Sequence, residues 1–358
     1  MNLLLFIAGL VTLVVGANLL VRGASRLALT FGISPLVVGL TVVAFGTSAP
    51  ELAVSVGAVL EGKTDIAVGN VVGSNIFNVL FVLGLSALIV PLVVNVQLIR
   101  QEVPIMVGAS LLVLVLVQDG RIGMLDGALL FVLLIAYTAF LVVQSRAAGQ
   151  AALDEYAEGL AASSAGAWDD RVPVQLALIA AGLVGLVLGA DWLVTAAVSV
   201  AQALGVSDLV IALTIVAAGT SLPEVATSIA AALKGERDIA VGNVVGSGTF
   251  NLLGCLGLAG MAAGSTGLGV APQVMGFDIW VMLAAALACL PVFITGREIA
   301  RWEGALFLGY YVAYVAWLVL SAQHQGALPA YSAVMMGFVL PLTLVTLVVM
   351  LIRRPPRP

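Results

Sequence analysis

Charge is the scarcest ingredient of this chain. Of its 358 residues only 9% are Asp, Glu, Lys or Arg, while 62% are hydrophobic. A soluble domain carries about a quarter charged residues, so the composition excludes a soluble fold and implies a polytopic membrane protein. Histidine occurs once, as His324 in a polar connection, which excludes a buried histidine proton relay and any Ser/His pair within the membrane. No HExxH metal motif is present, which with the missing Ser/His pair weighs against an intramembrane enzyme. The two cysteines, Cys255 and Cys289, both fall in apolar runs and read as small buried residues rather than a disulfide framework. No Lys or Arg sits in the middle of an apolar run. A cleavable leader is not evident, because Leu3–Val21 is long enough to span and lacks a basic segment before it. Nothing points to an enzyme, an organic cofactor, nucleic acid or an obligate protein partner. The lipid bilayer is the one partner the composition demands.

Allowing about 20 apolar residues per span, the sequence predicts eleven helices, over 3–21, 33–60, 65–91, 102–118, 123–143, 173–199, 206–233, 238–263, 275–295, 302–321 and 330–352. The one long polar stretch, 144–171, is rich in Ala, Ser, Asp and Glu. Its acids Asp154, Glu155, Glu158, Asp169 and Asp170 read as a solvated connection. The chain then divides into a first half (1–145), a linker (146–172), a second half (173–321), an appended helix (328–352) and a basic tail (353–358). With eleven spans, only Lys63 and Arg121 of the 14 basic residues share a side with the N-terminus. The positive-inside rule therefore predicts a multi-pass protein of the cell (inner) membrane, N-terminus outside, linker and C-terminus cytoplasmic.

Against this apolar background two stretches stand out: Thr41–Glu51 reads TVVAFGTSAPE and Thr214–Glu224 reads TIVAAGTSLPE. They belong to a repeat in which residues 8–85 align with 181–258 without a gap, about 46 of the 78 pairs being identical, a level that requires duplication. Five helices per unit is an odd number, so the second copy enters the membrane upside down, and sites in such folds lie near the midplane where interrupted helices meet.

The interruptions carry the chemistry. Pro50 cannot donate to the carbonyl of Gly46, nor Pro223 to that of Gly219. A carbonyl freed in a bilayer needs another partner, and a cation suits it. The backbone at Ala44–Thr47 and Ala217–Thr220 thus becomes a candidate set of oxygen ligands. A simple kink patched by Ser or Thr hydroxyls is the alternative, and the acid one residue past each proline weighs against it. Inversion predicts that Glu51 and Glu224 face each other, where they repel unless a cation or proton lies between. Two carboxylates match one Ca²⁺ or two Na⁺, and hard cations take carboxylate, carbonyl and hydroxyl oxygens together. Ser74 and Asn78 lie four apart on one helix face, as do Ser247 and Asn251; they are candidate ligands or interhelical glue. Asn70 and Asn243 either join the site or bridge helices. Gly69, Gly73, Gly242 and Gly246 form small-xxx-small strips for close packing. Asp126 and Asp191 read as residues near helix ends.

The paired GTSxPE and GNVVGS segments resemble the α-repeats of the cation/Ca²⁺ exchanger superfamily, especially the prokaryotic sodium/calcium exchangers. The resemblance covers both repeats and the ten-helix core. It implies an all-α polytopic membrane protein of two inverted five-helix repeats plus one extra C-terminal transmembrane helix. It also implies Glu51 and Glu224 as the central acids, and the carbonyls of Thr47 and Thr220 (Ca²⁺) and of Ala44 and Ala217 (Na⁺) as ligands. Ser48, Ser221, Ser74, Ser247, Asn78 and Asn251 complete the implied set. The first and sixth helices would slide as a gate, and Gly9, Gly16, Gly182, Gly185 and Gly189 suit loose packing there, though ordinary helix contacts explain them equally well. Two departures appear. Asn251 stands where some members carry Asp, which argues against K⁺ co-transport. The second repeat reads SGTFN where the first reads SNIFN, so Gly248 puts the equivalence of the outer Na⁺ sites in doubt. The implied activity is Ca²⁺ export driven by Na⁺ through alternating access. At three Na⁺ per Ca²⁺ one net charge enters per cycle, worth about 2.3 kcal/mol at 100 mV. Ca²⁺/H⁺ antiport at the same acids is the alternative, and a passive cation channel a further one.

Overall fold

A computed structural model describes residues 2–147, 169, 171–203, 217–322 and 328–352. The first helix, α1 (Asn2–Phe31), runs ten residues past its expected end and stops only at Gly32, whose φ of 63° is left-handed. The two arginines that lower its hydropathy, Arg22 and Arg26, do not break it. Both reach Asp169, at 2.6 and 3.5 Å, and its side chain is buried. That corrects the solvated reading of Asp169; the other linker acids lie outside the described residues. The next expected helix is broken into α2 (Pro35–Thr47) and α3 (Ala49–Leu60), bent by 43°. Ser34 caps α2, its Oγ accepting the Val37 N–H at 3.3 Å. Then follow α4 (Thr64–Ile89), α5 (Leu98–Asp119), α6 (Met124–Ala147) and α7 (Val172–Ala203). Residues 204–216, the first part of the predicted helix 206–233, lie outside the described residues. So do His324 and the tail. Description resumes at a short turn, Ala217–Gly219, and continues with α8 (Leu222–Leu233), α9 (Arg237–Ala262), α10 (Val274–Ile294) and α11 (Arg301–Ala322). A last helix, α12, begins at Leu328 and ends at Ile352. Among the described residues nine helices are long and apolar enough to cross a membrane, ten with the bent pair α2–α3.

The loops record the inversion. Two short antiparallel ribbons form, β1 (Leu92–Val93) with β4 (Glu298–Ile299) and β2 (Arg121–Ile122) with β3 (Leu268–Gly269). β1 and β3 follow equivalent helices of the two repeats, as do β2 and β4, yet each pairs with the other kind. A two-fold axis exchanges the ribbons, and equivalent loops sit at opposite ends. One end gathers Thr64, Gly120 and Gly269, through Gly269 N–H to Thr64 Oγ1 (3.2 Å) and Val270 N–H to the Gly120 carbonyl (3.0 Å). The other gathers Asn95, Asp238 and Arg297. Lys63 and Arg121 therefore share an end, as the count of spans requires.

The α1–α7 contact selects ordinary close helix contact over loose packing for these glycines. A Cβ on Gly16 would lie 2.7 Å from Leu186 N, and one on Gly182 would lie 2.6 Å from Leu20 N. The two backbones touch. Asp191 is also not near a helix end; it is an exposed residue well inside α7. Asp126 does cap its helix, its Oδ2 accepting the Gly123 N–H at 2.8 Å, and Glu303 repeats the device on Ala300 N–H.

Helices α5, α6, α10 and α11 carry a second duplicated feature. Buried Glu102 accepts from Tyr137 Oη (2.6 Å), Gln97 Nε2 (2.9 Å) and Gln101 Nε2 (2.7 Å). Asp278 accepts from Tyr314 Oη (3.0 Å) and Gln273 Nε2 (3.5 Å). Each acid pins one helix of its pair to the next. A hydrogen bond to a carboxylate contributes about 1.5–3 kcal/mol, more when its loss strands a buried oxygen. Tyr137→Phe is accordingly expected to lower the unfolding temperature in detergent by several degrees without changing which ions are exchanged. An unchanged melting curve would show that the bond is not what holds α5 to α6.

Candidate ion-binding site

The break between α2 and α3 falls at Ser48, and the corresponding break before α8 at Ser221, both with ψ near zero (6° and 9°). Pro50 and Pro223 each lie in the first turn of the helix that follows, where a missing N–H costs nothing. Glu51 and Glu224 are thereby set one turn inside a helix start, fully buried. Their partners are crossed. Ser221 Oγ donates to Glu51 Oε1 at 2.7 Å, and Ser48 Oγ donates to Glu224 Oε1 at 3.0 Å. Each repeat thus holds the acid of the other, and the two carboxylates lie within electrostatic reach of one another.

Other candidate ligand atoms are buried as well. Oε2 of both glutamates, Ser74 Oγ, Thr220 Oγ1 and both amide atoms of Asn78 are buried without a hydrogen-bond partner. Thr47 Oγ1 donates to Asn243 Oδ1 at 3.0 Å and lies 3.5 Å from Ser247 Oγ. The Ala44 carbonyl accepts the Ser48 N–H (3.0 Å) and faces Thr47 Oγ1 (3.4 Å), so, against expectation, the break does not free it; Ala217 opens the short turn before Thr220. Asn251, unlike Asn78, is engaged on both sides, by Asn75 and by Cys255. No Lys or Arg is bonded to either acid among the described residues, and no group of three or more His, Cys, Asp or Glu forms elsewhere. The arrangement offers two negative charges and a shell of neutral oxygens, the donor set of a hard cation.

Asn70 and Asn243 bridge helices. Asn70 Nδ2 holds the Glu51 carbonyl (3.2 Å) and Ser55 Oγ (3.1 Å), and Asn243 Nδ2 holds the Glu224 carbonyl (3.5 Å) and Ser228 Oγ (3.0 Å). Ser55 and Ser228 escaped the sequence reading, although both stand four residues past a glutamate in equivalent positions. Asn75 and Cys255 escaped it because neither has an equivalent in the other repeat. Gly242 and Gly246 press onto α2, a Cβ at Gly246 falling 2.7 Å from Leu40 Cα. The neighbours equivalent to these for Gly69 and Gly73 lie outside the described residues. In both repeats the helix behind the site loosens into a π turn at the asparagine, Asn78–Leu83 and Asn251–Cys255, a distortion common at functional positions.

Known proteins share the sequence and fold of this chain. The family model for sodium/calcium exchanger protein matches residues 1–143 and 174–320, leaving out the linker and α12. The putative antiporter CaxA of Alkalimonas amylolytica is 38% identical over 86% of this chain and 95% of its own length. The sodium/calcium exchanger MaX1 of Methanosarcina acetivorans is 34% identical over 88% of this chain and 97% of its own. Among solved structures, the sodium–calcium exchanger NCX_Mj, soaked with zero Na⁺ and Ca²⁺, superposes with a TM-score of 0.74 at 32% identity, covering 88% of this chain and 98% of that one. The chain is a multi-pass membrane transporter rather than an enzyme, and it belongs to the sodium/calcium exchanger family.

Proposed function

We propose that the protein exchanges Na⁺ for Ca²⁺ by alternating access at a site built on Glu51 and Glu224. Its other ligands are drawn from Thr47, Thr220, Ser48, Ser221, Ser74, Ser247, Asn78, Asn251 and the carbonyls of Ala44 and Ala217. The crossed bonds Ser221–Glu51 and Ser48–Glu224 carry this reading, because they leave one oxygen of each buried carboxylate without a partner. Charge compensation then couples the ions. Two unpaired carboxylates in a water-poor site oppose any motion that buries them further. One Ca²⁺ or two Na⁺ cancel that charge, so the gate moves only when one or the other is aboard. The likeness to MaX1, a sodium/calcium exchanger, supports Na⁺ as the counter-ion. The grouping of Lys63 and Arg121 at one end supports an N-terminus outside, with the other end and the linker cytoplasmic.

Vesicles loaded with Na⁺ and diluted into Na⁺-free medium are expected to take up ⁴⁵Ca²⁺, and to stop when Na⁺ is equal on both sides. Uptake driven by a pH step and indifferent to Na⁺ would assign proton antiport instead. Flux indifferent to both gradients would make the protein a channel.

A further inference from the structure

The two asparagines behind the site are equivalent in sequence and unequal in structure. Asn78 is fully buried with neither amide atom bonded. Asn251 is also fully buried, but its Nδ2 donates to Asn75 Oδ1 at 3.3 Å and its Oδ1 accepts from Cys255 Sγ at 3.5 Å. Asn75 in turn donates from Nδ2 to the Gly248 carbonyl at 3.2 Å, with Met282 Sδ at 3.7 Å beyond it. Gly248 is the residue that the repeat places opposite Asn75. Its missing side chain makes room for Met106, since a Cβ there would lie 2.9 Å from Met106 Sδ, whereas Asn75 Oδ1 at 3.8 Å would be in ordinary contact. The first repeat has nothing comparable, because Val82 replaces Cys255 and Gly248 cannot reach back to Asn78.

This chain of amides has one possible polarity. A backbone carbonyl only accepts, so Asn75 must turn its NH₂ to Gly248 and its oxygen to Asn251. Asn251 must then present NH₂ to Asn75, which leaves its own oxygen on the opposite side. That side faces Cys255, and the turn Asn251–Cys255 that carries both residues packs against α3, the helix that bears Glu51. A cation takes an amide through oxygen and is repelled by its NH₂.

We infer that Asn75 is a positioning residue that fixes the Asn251 carboxamide with its oxygen toward the cation cluster, so that the second-repeat side of the site is preset while the Asn78 side stays free to turn. This rests on the site reading above and deepens it. Removing a partner that orients a metal ligand typically costs 10- to 100-fold in affinity.

The experiment is initial-rate Ca²⁺ flux in proteoliposomes of the full chain, with whichever counter-ion drives the wild type, as a function of Ca²⁺ concentration. Asn75→Leu keeps the size and removes both hydrogen bonds. It is expected to raise the half-saturating Ca²⁺ concentration about ten-fold with little change in maximal rate. In an Asn251→Ala background the same substitution is expected to add nothing, whereas in Asn78→Ala it should add its full effect, as coupled and independent sites do. Should Asn75→Leu fail to give monodisperse protein, Asn75→Ala carries the same expectation. A half-saturating concentration within two-fold of wild type overturns the inference, as does a shift equally additive in both backgrounds, or a fall in maximal rate alone. If instead the wild type itself moves no Ca²⁺, or Glu51→Gln and Glu224→Gln leave flux intact, the site reading fails, and this inference with it.

Discussion

Either Glu51→Gln or Glu224→Gln is expected to abolish counter-ion-coupled Ca²⁺ flux while leaving the protein folded. Gln has nearly the shape of Glu and keeps an acceptor oxygen, so Ser221 or Ser48 retains its bond. What disappears is half the charge that faces the cation. Removing one partner of a buried charge pair costs about 3–5 kcal/mol, which corresponds to roughly two to four orders of magnitude in affinity. The two variants should fail alike, because each acid is held by the opposite repeat in the same way. Thermal stability in the absence of ions should not fall, and a rise is the natural result of relieving repulsion between two close carboxylates. Flux and melting temperature measured on the same preparation check this. Robust exchange by one variant and none by the other would place the cation on a single acid.

How much of this could be read beforehand depended on which residues are duplicated. The GTSxPE segments announced themselves because an acid and a proline are costly in lipid and so stand out from an apolar background. Their meeting followed from an odd number of helices per repeat. Features outside the gap-free alignment were invisible. Glu102 and Asp278, with Tyr137 and Tyr314, recur at spacings of 176 and 177 residues instead of the 173 that relates the two glutamates, so a gap between the third and fourth helices hides them. The end of α1 was misplaced because hydropathy measures fitness for lipid and not for helix, and Arg22 and Arg26 are good helix formers. Asp169 looked solvated for a similar reason: its partners are 147 and 143 residues away in sequence. Asn75 is the instructive case. It breaks the repeat, and a search for matching pairs discards it, although it spans the two halves.

Gly182→Leu is expected to be the most disruptive substitution outside the ion cluster. A Cβ at Gly182 would meet Leu20 N at 2.6 Å, the Gly16 carbonyl at 2.8 Å and Leu20 Cα at 2.9 Å, all backbone atoms of α1. Backbone cannot rotate aside, so α1 and α7 must part. Overpacking of even well-tolerated sites costs about 1–3 kcal/mol, and a leucine here forces apart a contact two helices long. The expected result is a lowered yield, a melting temperature down by several degrees and transport reduced at least ten-fold. Gly309→Leu serves as control, because a Cβ there meets nothing within 4 Å. Gly46 and Gly219 offer a contrast. Their nearest neighbours are side-chain atoms of α7, Leu183 Cδ2 and Val194 Cγ2, each at 2.5 Å from the built Cβ. Side chains can turn, so α1 and α7 meet each other through backbone, but α7 meets the two helix breaks through yielding methyl groups. That is the surface on which a gate could slide as one body. Gly46→Ala should therefore leave the fold intact and slow the exchange, a change in maximal rate without a change in melting temperature. If Gly46→Ala unfolds the protein, or Gly182→Leu transports at the wild-type rate, α1 and α7 are not a single moving unit.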